Sequence, residues 1–194
     1  MIIFDRCAYI QFISRDNKML RPLSVIVLVF WFAVGAPVRA EEMARPGHPG
    51  WQAAEGTGCL VWDPNPITGE RVTWSGPCQD RRANGQGELV WHSDRITERY
   101  VGDMRDGKWH GRGVVTDADG NRYEGDFVDD KRAGRGTMTN ANGDWYEGEW
   151  SGGFADGEGK AVIKGNKYEG IWARGCLRSS EQRAAWDVPR HECP

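Results

Sequence analysis

The chain changes character near its fortieth residue. Residues 23–36 (LSVIVLVFWFAVGA) form an unbroken apolar run, whereas farther along apolar and polar residues alternate with a period of two. Alternation of that period places successive side chains on opposite faces of a strand. Tyr146, Gly148 and Trp150 fall on one face, and Glu147 and Glu149 on the other. The same face is continued by Gly87, Leu89 and Trp91, by Gly113 and Val115, by Gly136 and Met138, and by Gly159, Ala161 and Ile163. Glu88, Val114, Thr137 and Lys160 point the other way. The links are turn dipeptides: Asp119-Gly120, Asn142-Gly143 and Gly165-Asn166 in one set, Asp106-Gly107 and Gly152-Gly153 in the other. Such sequences supply the positive φ angles of tight hairpins, which predicts an all-β, single-layer antiparallel meander of hairpins.

The hairpins repeat. Trp74-Ser75-Gly76, Tyr100-Val101-Gly102, Tyr123-Glu124-Gly125, Tyr146-Glu147-Gly148 and Tyr168-Glu169-Gly170 share the pattern aromatic-x-Gly, and their aromatics stand 26, 23, 23 and 22 residues apart. A Gly-x-Gly pair follows each of the first four: Gly85 and Gly87, Gly111 and Gly113, Gly134 and Gly136, Gly157 and Gly159. Gly56 and Gly58 suggest a degenerate half-unit before the first full one. Glycine inside a strand costs stability, so its regular recurrence needs a cause. Large rings at the same point of successive units supply one, since glycines on their face leave room for each ring to lie across neighbouring backbone. Trp74, Tyr100, Tyr123, Phe127, Tyr146, Trp150, Tyr168 and Trp172 are the rings in question, and they are expected to be the core of the sheet.

The pattern Tyr-x-Gly-x-aromatic followed by Gly-x-x-x-Gly-x-Gly resembles the MORN repeat family (membrane occupation and recognition nexus), a glycine-rich β-hairpin array. The resemblance covers residues 74–175, with 123–127 and 146–150 as close matches and Trp74 with Cys78, and Tyr100 with Met104, as looser ones. Arg81 and Asp130 stand where Gly107, Gly153 and Gly175 show the family's glycine. The resemblance implies an interaction module and, because the family is often linked to membranes, contact with phospholipid.

Ahead of the repeats, the apolar run is shorter than the ~20 residues a transmembrane helix needs. Lys18 and Arg21 precede it, and Val38-Arg39-Ala40 then Glu41-Glu42 follow, which reads as a signal peptide over residues 1–40 cleaved after Ala40, with Met19 as an alternative start and a retained anchor as the alternative reading. Residues 41–55 then form a linker, 56–176 the repeats and 177–194 a short helical or irregular cap, with Ser180 capping a helix near residues 179–186. After removal of residues 1–40 the chain holds 20 Lys/Arg and 26 Asp/Glu, a net charge of −6. An acidic chain with interleaved cations argues against nucleic acid.

The mature chain keeps four cysteines, Cys59, Cys78, Cys176 and Cys193, an even number suited to an oxidising compartment. Three pairings are possible. If residues 59–61 and 72–78 are the arms of a hairpin around 64–69, Cys59 faces Cys78 and Cys176 is left to Cys193, so that each bridge clamps one end of the array. A zinc site is not expected, since Cys-x-x-Cys is missing and His48, His92, His110 and His191 lack ligand spacing.

Nucleophile, phosphate-loop and metalloprotease motifs are missing too, and Gly-x-Gly without a following helix is no dinucleotide fingerprint. Glu124, Asp126, Glu147, Glu149 and Glu169 read as the wet face of the sheet rather than as paired carboxylates of a cell-wall glycan hydrolase. The expectation is a non-catalytic protein without cofactor or metal, exported to the periplasm or beyond, that serves as a scaffold for a protein or envelope component. Trp109, His110, Trp145 and Phe154 are candidate anchors. Arg82, Lys108, Arg112, Lys131, Arg132 and Arg135 recur near successive turns, with Arg81 and Arg105, as a basic edge that would serve the phospholipid alternative.

Overall fold

A computed structural model describes residues 49–93 and 97–193 of the chain. The signal peptide expected over residues 1–40 lies outside the described residues. Strands β1 (Gly50–Ala53), β2 (Leu60–Asp63), β3 (Arg71–Trp74), β4 (Cys78–Gln79), β5 (Arg82–Ala83), β6 (Gly85–His92) and β7 (Thr97–Arg105) come first. They are followed by β8 (Lys108–Thr116), β9 (Arg122–Val128), β10 (Lys131–Thr139), β11 (Trp145–Ser151), β12 (Phe154–Ile163), β13 (Asn166–Ala173) and β14 (Cys176–Leu177).

Ten of these strands make one antiparallel sheet in the order β14-β13-β12-β11-β10-β9-β8-β7-β6-β3, so every neighbour from β6 to β14 is also a sequence neighbour. That is the meander the alternation predicts. A second sheet of four strands, β1-β2-β5-β4, stands at its N-terminal end. It takes up part of the stretch expected to be linker, because Gly50–Ala53 pairs with Leu60–Asp63. Gly56 and Gly58 lie in the turn between β1 and β2, with φ of 80° and 68°, and are not a half-unit of the array.

Register explains the glycines. Gly87, Gly102, Gly113, Gly125, Gly136, Gly148, Gly159 and Gly170 pair with one another in a row across β6 to β13. Beside that row stand Tyr100, Tyr123 and Tyr146, and each phenol lies over the glycines of the next strand. A Cβ at Gly136 or Gly159 would overlap the ring of Tyr123 or Tyr146. The first glycine of each pair has a different task. The ladder shifts register beside Gly111, Gly134 and Gly157, and these three take φ of 62°, 56° and 115° in β-bulges.

The core is the ring stripe itself. Tyr100, Tyr123 and Tyr146 are at most 1 % exposed, and Trp74, Phe127, Trp150 and Trp172 are buried beside them. Successive rings meet edge to face: Tyr100 on Phe127 (5.4 Å), Phe127 on Tyr123 (5.0 Å), Tyr123 on Trp150 (5.2 Å), Trp150 on Tyr146 (5.1 Å) and Tyr146 on Trp172 (5.3 Å). Such pairs contribute about 0.5–1.5 kcal/mol each beyond area burial. The polar atoms of the rings are satisfied by a repeating scheme. Each tyrosine hydroxyl donates to the carbonyl three residues on, at Asp103 (2.7 Å), Asp126 (3.1 Å) and Glu149 (3.0 Å). The indoles of Trp150 and Trp172 donate to Gly136 O and Gly159 O of the preceding unit. Tyr168, in the last unit, is only partly buried.

Two kinds of turn alternate. Asp106-Gly107, Asp129-Asp130, Gly152-Gly153 and Arg174-Gly175 have two successive positive φ angles, as do Asp80-Arg81, so Arg81 and Asp130 accept the left-handed conformation without being glycine. In the first four, the amide of the second residue reaches back one unit: Gly107 to Ala83 O, Asp130 to Trp109 O, Gly153 to Arg132 O and Gly175 to Ala155 O, at 2.8–3.1 Å. The opposite turns at 117–120 and 140–143 are longer than dipeptides, closed by Gly120 N to Asp117 O and Gly143 N to Asn140 O, with glycine alone at positive φ. The third such turn centres on Lys164-Gly165, one residue earlier than the dipeptide read from the sequence.

Candidate functional site

With the rings committed to the core, what remains for recognition is the wet face, the turn edge and the two ends. On the wet face cross-strand ion pairs recur: Arg112 with Asp126 (3.7 Å), Arg135 with Glu149 (3.8 Å), Arg99 with Glu88 (2.6 Å) and Lys160 with Glu169 (3.2 Å). The acids at the bulges are held further by backbone. Asp126 accepts the amide of Arg135 and Glu149 that of Glu158, so these carboxylates close the bulges as well as face water. A shallow open depression of about 500 Å³ lies here, lined by Asp126, Gly134, Arg135, Glu149, Trp150 and Asp156. All of its pairs are exposed, and pairs of that kind contribute little each.

The cations expected on one basic edge divide among three places. Arg112 and Arg135 are on the wet face. Arg82 and Lys108 lie instead over the rings of Trp51 (4.4 Å) and Trp62 (5.3 Å), which meet edge to face at 5.2 Å in the small sheet. That sheet is bonded to the array through Gly107, whose amide donates to Ala83 O and whose carbonyl accepts Trp62 N, and a side chain at Gly107 would strike Trp51. Arg132 belongs to the ring face. Its guanidinium covers Trp150 at 4.3 Å, donates to Gly153 O (2.7 Å) and pairs with Asp187 (2.6 Å). Lys131 is exposed.

The candidate aromatic anchors are also partly spoken for. Trp109 stacks flat on Tyr100 at 4.8 Å, and its amide donates to the Asp130 carboxylate, which burial pushes up to about 6 against the pull of that amide and of Lys108. His110 has a buried Nδ1 without a hydrogen-bond partner, 3.8 Å from Asp129. Phe154 lies under Arg174, and Trp145 is half-buried. Burial pushes the phenols of Tyr100, Tyr123 and Tyr146 up, keeping them neutral donors.

Both ends carry a disulfide, Cys59–Cys78 and Cys176–Cys193, with Cα atoms 5.7 and 5.4 Å apart. The route to the first is not the hairpin expected around residues 64–69. β2 pairs with β1 and β5 and β3 pairs with β6, so the bridge ties the small sheet together near β3. The C-terminal segment is not helical over 179–186. Ser179, not Ser180, accepts the amides of Glu181 and Gln182, and only residues 190–192 form a 3-10 turn. The segment folds back through Leu177 N to Ala184 O and Trp186 N to Gly175 O, placing Trp186 over Tyr146. Trp51, Trp62, Trp186 and Asp187 were not singled out by the repeat pattern, because they stand outside it; the short apolar run Leu-Val-Trp of β2 was a local signal of a strand there.

Comparison with protein families gives the MORN repeat, matched three times in succession at residues 100–122, 123–145 and 146–162. Residues 100–162 are three consecutive MORN repeats. No curated protein matches it. The three matched MORN units are the ones built on Tyr100, Tyr123 and Tyr146, whose rings lie on the glycine row. MORN repeats are in general modules for protein or membrane interaction and are in general non-catalytic. The β6 hairpin and the unit around Tyr168 continue the same sheet outside the matched span. Among the described residues no helix is long and apolar enough to cross a membrane.

Proposed function

We propose that this MORN array is an exported, disulfide-clamped, non-catalytic scaffold that binds a protein of the cell envelope. The observation that carries the choice of protein over lipid is the fate of the cations. Anionic membranes select a continuous basic surface. Here Arg112, Arg135 and Arg132 are each matched to a carboxylate, and the mature chain is net acidic. Export rests on the leader read at residues 1–40 and fits the two disulfides. Retention of envelope proteins by the full chain is the test, and failure to retain any specific protein would sink the scaffold reading. Mass spectrometry of the mature N-terminus tests cleavage after Ala40.

Phospholipid contact is the second reading, favoured by Trp51 and Trp62 with Arg82 and Lys108, a half-buried aromatic pair bracketed by cations, as side chains at membrane interfaces are. Co-sedimentation with anionic vesicles across salt decides it. Binding at low salt that Arg82→Ala and Lys108→Ala abolish would favour lipid.

A further inference from the structure

The units differ in what covers their tyrosine. Two residues after the turn, the first unit places Trp109 flat on Tyr100 (4.8 Å), and the second places Arg132, 5.9 Å from the ring of Tyr123. The third has Ala155 there, too small to cover Tyr146. The vacancy is filled from elsewhere in the chain, by Trp186. Its neighbour Asp187 grips Arg132 at 2.6 Å, while the same guanidinium stays on Gly153 O and on the face of Trp150. An aromatic ring followed by a carboxylate thus occupies a ready-made receptor: a tyrosine face with an arginine beside it.

The fit is imperfect in three respects. Trp186 Nε1 is buried with no hydrogen-bond partner, although the equivalent donors of Trp150 and Trp172 both find glycine carbonyls. The ring lies 6.0 Å from Tyr146 and tilted by 31°, looser than Trp109 on Tyr100. Asp187 reaches Arg132 only from a backbone at φ 58°, a conformation unfavourable for a residue other than glycine. A buried donor without an acceptor and a backbone held off its preferred region both weaken the hold of the segment on its site.

We propose that the site under Trp186, formed by Tyr146, Ala155, Trp150 and Arg132, is a docking site for an extended segment of a partner protein that presents an aromatic residue followed by a carboxylate, and that residues 184–187 are its displaceable stand-in. This rests on the scaffold reading and names the surface and the partner chemistry. A partner whose aromatic carries no buried donor, or brings its own acceptor, binds without the defects of the tail. The Cys176–Cys193 bridge keeps the displaced tail close, so that it returns when the partner leaves.

The test uses the full chain and a fluorescein-labelled peptide Arg-Ala-Ala-Trp-Asp-Val-Pro, the sequence of residues 183–189. By fluorescence anisotropy the peptide binds the Trp186→Ala chain at least tenfold more tightly than the unaltered chain, and adding Arg132→Ala to Trp186→Ala removes at least tenfold of that gain. Absence of saturable binding to a Trp186→Ala chain with native disulfides, or binding indifferent to Arg132→Ala, overturns the proposal. If Trp186→Ala does not fold, hydrogen exchange of the unaltered chain and of Asp187→Asn decides. The Trp186 amide exchanges at least tenfold faster than the Tyr146 amide, and faster still in Asp187→Asn; equal protection of the two amides in the unaltered chain refutes displaceability. A peptide that fails while the array still retains envelope proteins refutes this site and leaves the scaffold standing. A peptide that binds while no envelope protein is retained does the reverse.

Discussion

At the scale of single residues, the two glycines of a Gly-x-Gly pair answer to different forces, and substitution separates them. Gly159 needs the absence of a side chain, because its Cβ position is already taken by the Tyr146 phenol. Gly159→Ala forces that buried ring out of place and is expected to cost about 3 kcal/mol, the upper end of overpacking penalties. Gly143 has open space around it and needs only its φ of 86°. Gly143→Ala is expected to cost about 1 kcal/mol, the strain of a left-handed residue. Urea unfolding of the two variants checks the ordering, and equal losses would show that ring packing does not set the glycine row. The converse applies at Arg81, which holds a φ of 65° without being glycine. Arg81→Gly relieves the strain and raises stability by about 0.5 kcal/mol, reduced from the full strain because glycine is freer when unfolded. A lower melting temperature for Arg81→Gly would contradict this.

At the scale of elements, the repeated hairpins were legible because each of them carries both a period of two and its own copy of the ring and glycine positions. Where one signal stood alone, placement slipped. The Gly165-Asn166 dipeptide looked like a turn centre, yet Lys164 takes φ 51° so that Ile163 and Asn166 stay paired, and the register of β12 on β13 decides over dipeptide preference. Residues 179–186 had helix-compatible composition, but Cys176 pairs with Ala185 and Trp186 is drawn onto Tyr146, so long-range packing outweighs local propensity. The cations were the least legible. Near-equal offsets from the turns do not reveal that Arg112 faces water while Arg132 crosses to the rings. For the terminal segment, the Cys176–Cys193 bridge closes a loop of sequence separation 17, and replacing both cysteines by serine is expected to cost about 3 kcal/mol by freeing the unfolded chain. Thermal unfolding under identical buffer checks it, and an unchanged midpoint would mean that the bridge decorates a segment already held by its backbone bonds.

At the scale of the whole molecule, the small sheet and the array meet around a group of carboxylates, which makes their association depend on pH. Glu98, on β7, is pushed up to about 7, chiefly by burial and then by the charges of Asp117, Glu70 and Asp63. Glu70 is also raised to about 7, by burial first and then by sharing a hydrogen bond with Asp63, against the amide of Ile67 and the side chain of Gln52. These acids come from β2, the β2–β3 connection, β7 and the 117–120 turn, so ionising Glu98 and Glu70 sets four segments against one another. The sign follows from linkage. In the unfolded chain both glutamates release their protons near 4.5, whereas the folded chain keeps them to about 7. The folded state therefore binds more protons across that window, and stability falls as pH rises through it. For Glu98 alone the loss is on the order of 2 kcal/mol after allowance for partial contact with water. Melting temperature is expected to be higher at pH 5 than at pH 8. Glu98→Gln keeps the shape of the side chain without its charge, so it should flatten the pH dependence and raise stability at pH 8 while changing little at pH 5. Amide exchange should also show β1 and β2 opening more readily at pH 8 than at pH 5, once corrected for intrinsic exchange rates. A melting temperature that rises from pH 5 to pH 8 in the unaltered chain would reverse the sign of the electrostatics at this junction.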